Sequence, residues 1–180
     1  MPIWRGELSV ASAIVMSDMC VLRFASLTAG VLPEIEPCFD DPETIRFLGD
    51  RAWIRRALRL VDQTPGTEYR GRTVVGRDVW VIYDHVPIGF IDVERYDDGR
   101  AGCAIVVAPA LRGRGFGRAI LGAVWERPEL ADVEELIGGV EPENLASRRC
   151  LAAAGFRLAS DPDEEGMLNV ARTRPPGLSG

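Results

Sequence analysis

The chain has 180 residues, the length of one ordinary domain, and its content of 47% hydrophobic and 27% charged residues excludes a wholly disordered protein. Its net charge is −6, and all 21 of its basic residues are arginine. This balance lacks the basic footprint of nucleic-acid-binding proteins and favours a cationic substrate. No apolar run approaches the roughly 18 residues of a membrane span, so we expect neither a nucleic acid nor a membrane as partner.

Cysteine and histidine are too few and too scattered for a metal site. The four cysteines form no C-x-x-C pair, and the single histidine, His85, lies in a predicted turn at the surface. A structural zinc site needs four ligands at tight spacing, so we expect no metal. Cys103 and Cys150 lie in apolar segments and are interpreted as free thiols in a reducing cytoplasm.

The two ends of the chain differ in character from its middle. Residues 1–18 include a short apolar stretch that no small-residue cleavage site follows, so we interpret them as an N-terminal extension. One domain is expected over residues 19–172. Residues 173–180, with two adjacent prolines, are interpreted as a loosely bound C-terminal tail.

Short elements are predicted in the first third of the chain. In order, they are a strand at Cys20–Phe24, a helix at Thr28–Cys38 broken by Pro33 and Pro37, a helix that Asp41 caps and Pro42 opens and that runs through Phe47, and a helix that Asp50 caps and that runs to Val61. In the last of these, Ile54, Leu58 and Val61 recur at helical spacing and predict an apolar face.

The hydrophobic period then changes to that of strands. The predicted strands are Thr73–Val75, Val79–Tyr83, Ile88–Arg95 and Ala101–Ala108. Asp84 to Pro87 separates the second from the third and predicts an antiparallel hairpin, and Asp97-Asp98-Gly99 is a strong turn signal before the fourth.

Helices and strands alternate in the last third. The predicted elements are a helix at Gly115–Trp125, a strand at Glu135–Val140, a helix from Asn144 to Gly155, and closing strands at Phe156–Ala159 and Met167–Arg172. Antiparallel strands followed by a β-α-β-α-β run predict an α+β fold with a mixed sheet.

The loop before the first of these helices has the composition of an anion site. Glycines at 113, 115 and 117 leave the backbone uncovered between a strand and a helix, so successive amides can point at one phosphate. Arg112, Arg114 and Arg118 add positive charge, and the alternative is a plain tight turn.

Known phosphate motifs discriminate between folds that use such a loop. A P-loop requires lysine and a hydroxyl residue after its last glycine, where this chain has Arg118 and Ala119, and the G-x-G-x-x-G dinucleotide pattern also fails. The pattern R-x-x-G-x-G, met by Arg112, Gly115 and Gly117, resembles the acetyl-CoA loop of the GNAT acetyltransferase superfamily. Asn144 opens a helix that a Gly-Phe pair at 155 and 156 ends, as in that superfamily's second motif.

The resemblance implies a GNAT fold, whose central mixed, mostly antiparallel sheet is splayed between strands 4 and 5 and flanked by helices. It implies that acetyl-CoA lies in the splay between Ala101–Ala108 and Glu135–Val140. The residues that it implies for coenzyme binding are Ile105, Val106 and Val107 for the pantetheine amides, Arg112, Gly113, Arg114, Gly115, Phe116, Gly117 and Arg118 for the pyrophosphate, and Asn144 and Ser147 for the pantetheine arm. Asn144 has the alternative role of a simple helix cap.

An acidic group near the amine would ease its deprotonation. Neutralising an amine of pKa ~10.4 at pH 7 costs roughly 4.6 kcal/mol. Asp92 and Glu94 alternate onto one face of the strand at Ile88–Arg95 and are candidate catalytic residues, unless that face is solvated. Glu141 is a third candidate, unless it caps the following helix. Members of the superfamily often carry tyrosine where this chain has Leu151, which cannot protonate a leaving thiolate.

The resemblance therefore implies a cytoplasmic N-acetyltransferase, an acyltransferase that moves the acetyl group of acetyl-CoA to a primary amine. The acceptor is a small molecule, with an aminoglycoside-like cationic amine as one option, or a protein N-terminus. The alternative is a non-catalytic acyl-CoA-binding GNAT module, which Leu151 and the absence of an obvious base motivate. Either a monomer or a homodimer is compatible with the sequence.

Overall fold

The computed structural model describes residues 22–177, so the predicted extension at 1–18 lies outside the described residues. The helices and strands follow in the order β1 (Arg23–Ser26), α1 (Leu32–Ile35), α2 (Pro42–Leu48), α3 (Trp53–Leu60), β2 (Glu68–Tyr69), β3 (Arg72–Asp84), β4 (Val86–Tyr96), β5 (Arg100–Val107), α4 (Phe116–Ala123), β6 (Glu135–Val140), α5 (Leu145–Ala153), β7 (Arg157–Leu158) and β8 (Leu168–Thr173). Within this range no helix has the length and apolar character that crossing a membrane requires.

The eight strands within residues 22–177 form one mixed sheet. Its strand order is β1-β3-β4-β5-β6-β8-β7, and β2 pairs with β3 beside this path. Every pairing is antiparallel except that between β5 and β6. The predicted α+β fold with a mixed, mostly antiparallel sheet is therefore confirmed.

Helices cover the sheet on both faces. α4 and α5 pack on one face, where Ile120, Leu121 and Leu151 join the larger apolar core. α1 and α3 pack on the other face, where Ile35, Ile54 and Phe90 belong to the second core. The central strands therefore bury side chains in both directions, which explains their nearly continuous apolar sequence.

β4 contains one exception to this apolar rule. Ile91 and Val93 point into the larger core, whereas Phe90 and the residues at alternate positions point to the other face. Asp92 is on that second face and only 5% exposed. A carboxylate buried in a central strand is costly unless charges or hydrogen bonds compensate it, so this position requires a specific partner.

The local elements match the sequence prediction with a few corrections. The cap of α2 is as predicted, since the Thr44 amide donates to Asp41. Asp50 does not cap α3, because that helix begins at Trp53 and its N-cap position is Ala52. The predicted strands at 73–75 and 79–83 are a single strand, because β3 continues through an irregularity between Val74 and Gly76.

Two further differences lie near the ends of the described chain. The predicted helix at 28–38 is the single turn α1 followed by a 3₁₀ turn at Glu36–Phe39, because each proline stands near the start of its own short segment. Beyond β8, the Arg174 guanidinium donates to the Val133 carbonyl at 2.8 Å, so the first residues of the predicted tail pack on the domain.

Candidate functional site

The parallel pairing of β5 and β6 extends over only three residue pairs. Arg100, Ala101 and Gly102 pair with residues 135–137, and the two strands then separate. Beyond Gly102, no strand within residues 22–177 pairs with this edge of β5. The predicted splay between these two strands is therefore present.

The ladder between β4 and β5 determines which backbone groups face the splay. The Ala108 amide donates to the Ile88 carbonyl at 2.9 Å, and the register places Val106 opposite Phe90. Because hydrogen-bonded pairs alternate along an antiparallel ladder, Val106 bonds to β4 and alternate residues point their backbone groups outward. The backbone groups of Ile105 and Val107 thus face the splay, whereas those of Val106 do not.

The glycine loop connects this edge to the start of α4. Gly113 and Gly115 have φ angles of +74° and +86°, and Gly115 is the N-cap of the helix. A Cβ built on either glycine would meet nothing within 4 Å, so both face open space. The side chain of Phe116, the first helical residue, packs on the larger core, which leaves only its backbone at the loop.

Gly117 has a different role from its two neighbours. It is buried in the first turn of α4, and a Cβ at this position would lie 2.6 Å from the Sγ atom of Cys150 in α5. Its missing side chain therefore permits α4 and α5 to approach each other. The contact between the backbone amide of this glycine and a phosphate stays a prediction.

Arg112 holds the loop against the first half of the chain. Its Nη1 atom lies 2.9 Å from Asp41 and 2.7 Å from Glu43, and its Nη2 atom donates to the hydroxyl of Thr44 at 2.6 Å. The Nε atom donates to the Val107 carbonyl at 3.4 Å. A hydrogen bond from the Thr44 amide, reinforced by Arg112, holds the pKa of Asp41 below its ordinary value.

The other two arginines of the loop remain available to an anion. Arg114 and Arg118 are exposed, and neither side chain forms an ion pair with any residue in the described part of the chain. Two uncompensated guanidinium groups therefore flank the N-terminus of α4, whose dipole also favours negative charge.

The start of α5 lies at the end of β6. The Oδ1 atom of Asn144 accepts a hydrogen bond from the Ser147 amide at 3.0 Å, so this side chain caps the helix. Its Nδ2 atom and the Ser147 hydroxyl are left without partners among residues 22–177. Glu141 is not the cap, and its carbonyl accepts from the Asn144 amide at 3.0 Å.

Leu151 lies one turn beyond Ser147 on the same side of α5 and is buried. It is part of the larger core together with Ile120 and Phe156. The position therefore carries no acid. Cys150 packs beside the same core, and burial raises the pKa of its thiol.

A cleft of about 910 Å³ opens where β5 and β6 separate. Asp92 and Glu94 line it from β4, Met167 and Asn169 line it from the other arm of the sheet, and Trp53 contributes from α3. The structure thus brings two of the predicted catalytic carboxylates to the splay. Glu141 does not line this cleft.

The partner that Asp92 requires is Arg77 of β3. Nε of Arg77 donates to Oδ1 of Asp92 at 2.9 Å, and Nη2 donates to Oδ2 at 2.5 Å. Nη1 donates to Oε1 of Glu94 at 2.8 Å. Desolvation raises the pKa of Asp92, hydrogen bonding and charge from Arg77 lower it, and the charge of Glu94 raises it again.

Glu94 is the more accessible of the two carboxylates. Its side chain is 24% exposed, compared with 5% for Asp92. Its Oε2 atom accepts a 3.3 Å hydrogen bond from the Tyr96 hydroxyl, whose pKa is raised by desolvation and by Glu94. One carboxylate in the cleft is thus locked in a two-bond ion pair, and the other keeps contact with solvent.

Sequence reasoning missed Arg77 and the aromatic wall beside it. Tyr69 stacks on Tyr96 with ring centroids 6.2 Å apart and an interplanar angle of 16°. An available signal was the pair Arg77-Asp78, which interrupts an otherwise apolar strand. The tyrosines had no comparable signal, because Tyr69 lies in a two-residue strand that only pairing with β3 defines.

Cys103 is the nucleophilic side chain on the β5 wall of the cleft. Desolvation, with a smaller contribution from Asp92, raises the pKa of its thiol to about 12. At neutral pH almost none of it is thiolate, the form that reacts as a nucleophile. Among the described residues, no group of three or more His, Cys, Asp or Glu side chains could hold a metal ion.

Comparisons with known proteins agree with this geometry. A family model described as an acetyltransferase (GNAT) domain matches residues 22–157. A Bacillus subtilis (strain 168) protein named "Uncharacterized N-acetyltransferase YfmK" is 33% identical over 94 residues, which cover 51% of this chain and 63% of that relative, less than two thirds of its length.

Solved structures resemble the chain in fold. The aminoglycoside acetyltransferase AAC(6')-Ib in complex with coenzyme A has a TM-score of 0.67 at 18% identity, with 85% of this chain and 95% of that chain covered. A spermidine N-acetyltransferase from Vibrio cholerae in complex with CoA and spermine has a TM-score of 0.67 at 15% identity and the same coverage. At identities this low, the similarity concerns the fold alone.

The role of Gly117 can be tested by a double-mutant cycle with Cys150. Alanine at 117 places its Cβ against Sγ, so we expect Gly117→Ala to destabilise the protein by about 1 kcal/mol or more. In a Cys150→Ala background the clash is removed, and the higher helix propensity of alanine makes the same change neutral or stabilising by up to about 1 kcal/mol. Chemical denaturation measures both free energies of unfolding. Equal effects in the two backgrounds would contradict the packing role.

Proposed function

Because the chain belongs to the acetyltransferase (GNAT) domain family, whose model covers residues 22–157, we propose that it transfers the acetyl group of acetyl-CoA to a primary amine. The observation that carries this proposal is the unpaired edge of β5, which leads directly into the open glycine loop. An extended ligand can complete such an edge by hydrogen bonding to its backbone, as an added strand does. The loop that follows offers amides and a helix dipole to a phosphate.

In this proposal the coenzyme lies along the splay. The pantetheine amides bond to the outward backbone groups of Ile105 and Val107. The pyrophosphate lies on the loop at 113–116, where a ligand meets glycines with open space above them, and Arg114 and Arg118 supply the counter-charge. Arg112 supports the loop from behind, because its charge is already compensated by two carboxylates.

The first turn of α5 contributes from the other side of the splay. Asn144 caps its helix through Oδ1 and keeps Nδ2 to donate to a pantetheine carbonyl. The Ser147 hydroxyl, one turn further, is available in the same way. Capping fixes the orientation of Asn144, so that the two roles support each other.

The proposed reaction is direct transfer between two bound substrates. The neutral amine attacks the thioester carbonyl, the C–N bond forms, and backbone amides at the splay stabilise the developing oxyanion. Collapse of that intermediate breaks the C–S bond and releases CoA as a thiolate. A thiol of pKa near 8.5 leaves without an acid and takes its proton from water, so the buried Leu151 is compatible with turnover.

Glu94 is the proposed proton acceptor. Its side chain is partly exposed, and its Oε2 atom accepts only the 3.3 Å hydrogen bond from Tyr96. This oxygen can therefore receive the amine proton directly or through a water molecule. Asp92 has both oxygens committed to Arg77 and acts as a positioning residue, because it holds the guanidinium that orients Glu94. Glu141, outside the cleft, is the next candidate.

Two classes of molecule are proposed as the amine acceptor. One is a small molecule with a primary amine, since the solved structures of similar fold are named for aminoglycosides and spermidine. The other is a protein N-terminus. The free thiols of Cys38, Cys103 and Cys150 support a reducing compartment, and we propose the cytoplasm.

A second candidate function is acyl-CoA binding without turnover. The ion pair that occupies Asp92 and the placement of Leu151 in the core favour it. Two measurements discriminate between the candidates: a thermal-shift titration with acetyl-CoA, and detection of released thiol in the presence of an amine panel. Stabilisation by acetyl-CoA with no amine-dependent thiol release would select the binding module.

The charge of the glycine loop gives a prediction about coenzyme binding. We expect Arg114→Gln and Arg118→Gln each to weaken acetyl-CoA binding by roughly three- to tenfold, and the difference to shrink at high salt because screening weakens exposed charges. Calorimetric titration measures the Kd. Arg59→Gln, an equal charge change on the exposed side of α3, is the control. Wild-type affinity in both loop variants would contradict this placement of the pyrophosphate.

Replacing each of the two carboxylates of β4 in turn should have different effects. Glu94→Gln should lower kcat/KM by roughly 10²-fold or more at pH 7, with acetyl-CoA affinity unchanged, because it removes the proton acceptor alone. The loss should diminish as pH approaches the pKa of the amine, since free amine then forms without help. Steady-state rates from pH 6 to 9 test this.

The companion variant, Asp92→Asn, should instead lower the free energy of unfolding, by about 1–3 kcal/mol, because a buried guanidinium loses one of its two charged partners. Full turnover by Glu94→Gln across the pH range would transfer the assignment to Glu141, which Glu141→Gln then tests.

Cys103 gives a prediction about the kinetic mechanism. Cys103 is one of the residues that line the cleft, and an acetyl-cysteine intermediate would require its thiol as thiolate. With a pKa of about 12, its thiolate fraction at pH 8 is about a thousandfold below that of an ordinary cysteine. We therefore expect Cys103→Ser to retain turnover within about twofold, and intact-protein mass spectrometry after acetyl-CoA addition to show no acetyl adduct at this residue. A stable adduct, or an inactive but folded variant, would point to a covalent route.

A further inference from the structure

The walls of the cleft carry a balanced set of charges. Five arginines line it, and each forms an ion pair; they are Arg70, Arg72, Arg77, Arg100 and Arg157. The negative charge of the whole chain, −6, is therefore not a guide to the charge at this site.

The carboxylates of the cleft are equal in number. They are Asp92, Glu94, Glu135, Asp163 and Glu165, and each has an arginine as its ion-pair partner. A bound polyamine or aminoglycoside needs carboxylates that are free to face its several ammonium groups. Here each such contact would compete with an existing ion pair, and the displaced guanidinium would repel the ligand.

Several of the arginines are held loosely enough to bind a ligand. Arg157 is 77% exposed, and its single ion pair to Glu135 is 3.3 Å long. Arg100 pairs with the same carboxylate at 3.5 Å. Both guanidinium groups retain N–H donors, which suit a carbonyl or carboxylate oxygen.

The aromatic wall adds an apolar surface next to these charges. Tyr69 is 47% exposed and stacks on Tyr96. An uncharged side chain close to the reacting amine can pack on this ring face, whereas a second ammonium group there would also lie beside Arg70, whose guanidinium carbon is 5.5 Å from the Tyr69 ring centroid.

We infer that the acceptor is the α-amine of an amino acid or of a peptide, and not an amine of a polycation. The inference rests on the acetyl-transfer function proposed above. An α-amine carries a single positive charge and stands next to a carbonyl or carboxylate, so it matches a cleft with balanced charges and free arginine donors.

Proton chemistry supports the same choice independently. The α-amine at the N-terminus of a peptide has a pKa near 7.7–8.0, about two and a half units below that of a lysine-like amine, so a large fraction is already neutral at pH 7.5. Of the two carboxylates on β4, one is fully committed to Arg77 and the other is shared with it. A site with so little basic capacity suits an amine that needs little help.

An amine panel tests the inference at fixed acetyl-CoA. The α-amine set contains phenylalanine and a phenylalanine-initiated tetrapeptide amide, which distinguish a free amino acid from a peptide, and the polycation set contains spermidine and kanamycin. We expect kcat/KM for the better α-amine substrate to exceed that of either polycation by at least about tenfold. Faster turnover of spermidine or kanamycin would overturn the inference and leave acetyl transfer standing. Acetyl-CoA binding without transfer to any amine would contradict the transfer function itself.

A charge variant sharpens the test. Arg157→Gln leaves Glu135 paired with Arg100 and gives the cleft a net negative charge. We expect it to lower kcat/KM for the α-amine and to raise that for spermidine, shifting the ratio by about three- to tenfold, with the shift reduced at high salt. Arg59→Gln, the same charge change on α3, should leave the ratio unchanged. An unaltered ratio in Arg157→Gln would count against selection by cleft charge.

Discussion

The architecture of this protein depends on how the backbone of one strand is satisfied. β5 bonds to β4 along its length, but its other edge has a strand partner at only three residues. A backbone donor or acceptor that is buried without a partner costs about 1–3 kcal/mol, so the open edge has to be solvated or bound by a ligand. Gly138, whose Cβ would lie 3.3 Å from the Cys103 carbonyl, lets β6 begin its departure at close range. The cleft, the glycine loop and the N-terminus of α4 follow from that departure.

The same region of the sheet carries a buried cation with two carboxylates. In a strand covered on both faces, Asp92 would be unfavourable without Arg77, and removing Arg77 would leave an unpaired charge in an apolar layer. The trio with Glu94 keeps charged groups at the floor of the cleft in fixed orientations. This arrangement differs from a row of free carboxylates, because both carboxylates already have a guanidinium partner.

The sequence predicted the fold and the general location of the site, because both depend on local patterns. The spacing of Gly113 and Gly115, the cap at Asn144 and the alternation of apolar residues in β4 are visible within a few residues of each other. What could not be predicted depends on partners distant in the chain. The sequence predicts Arg112 as a phosphate ligand, because Asp41 and Glu43, with which it forms ion pairs, belong to a distant segment. The packing role of Gly117 depends on Cys150 of α5, and the charge of a cleft is a sum over strands that the sequence separates.

The parallel pairing of β5 with β6 also has a consequence for the order of folding. The strands β3, β4 and β5 form a meander of local hairpins, whereas β6 reaches β5 only after the chain has passed through α4. Contacts that close long loops pay their entropy before they gain stability, so this seam is expected to form after the hairpins on either side. With three residue pairs it is also the shortest junction between interior strands of the sheet, and hydrogen exchange should be faster there than in the ladders on either side. A molecule that spans the splay would connect the two halves of the sheet. The free energy of unfolding would then rise as the site becomes occupied.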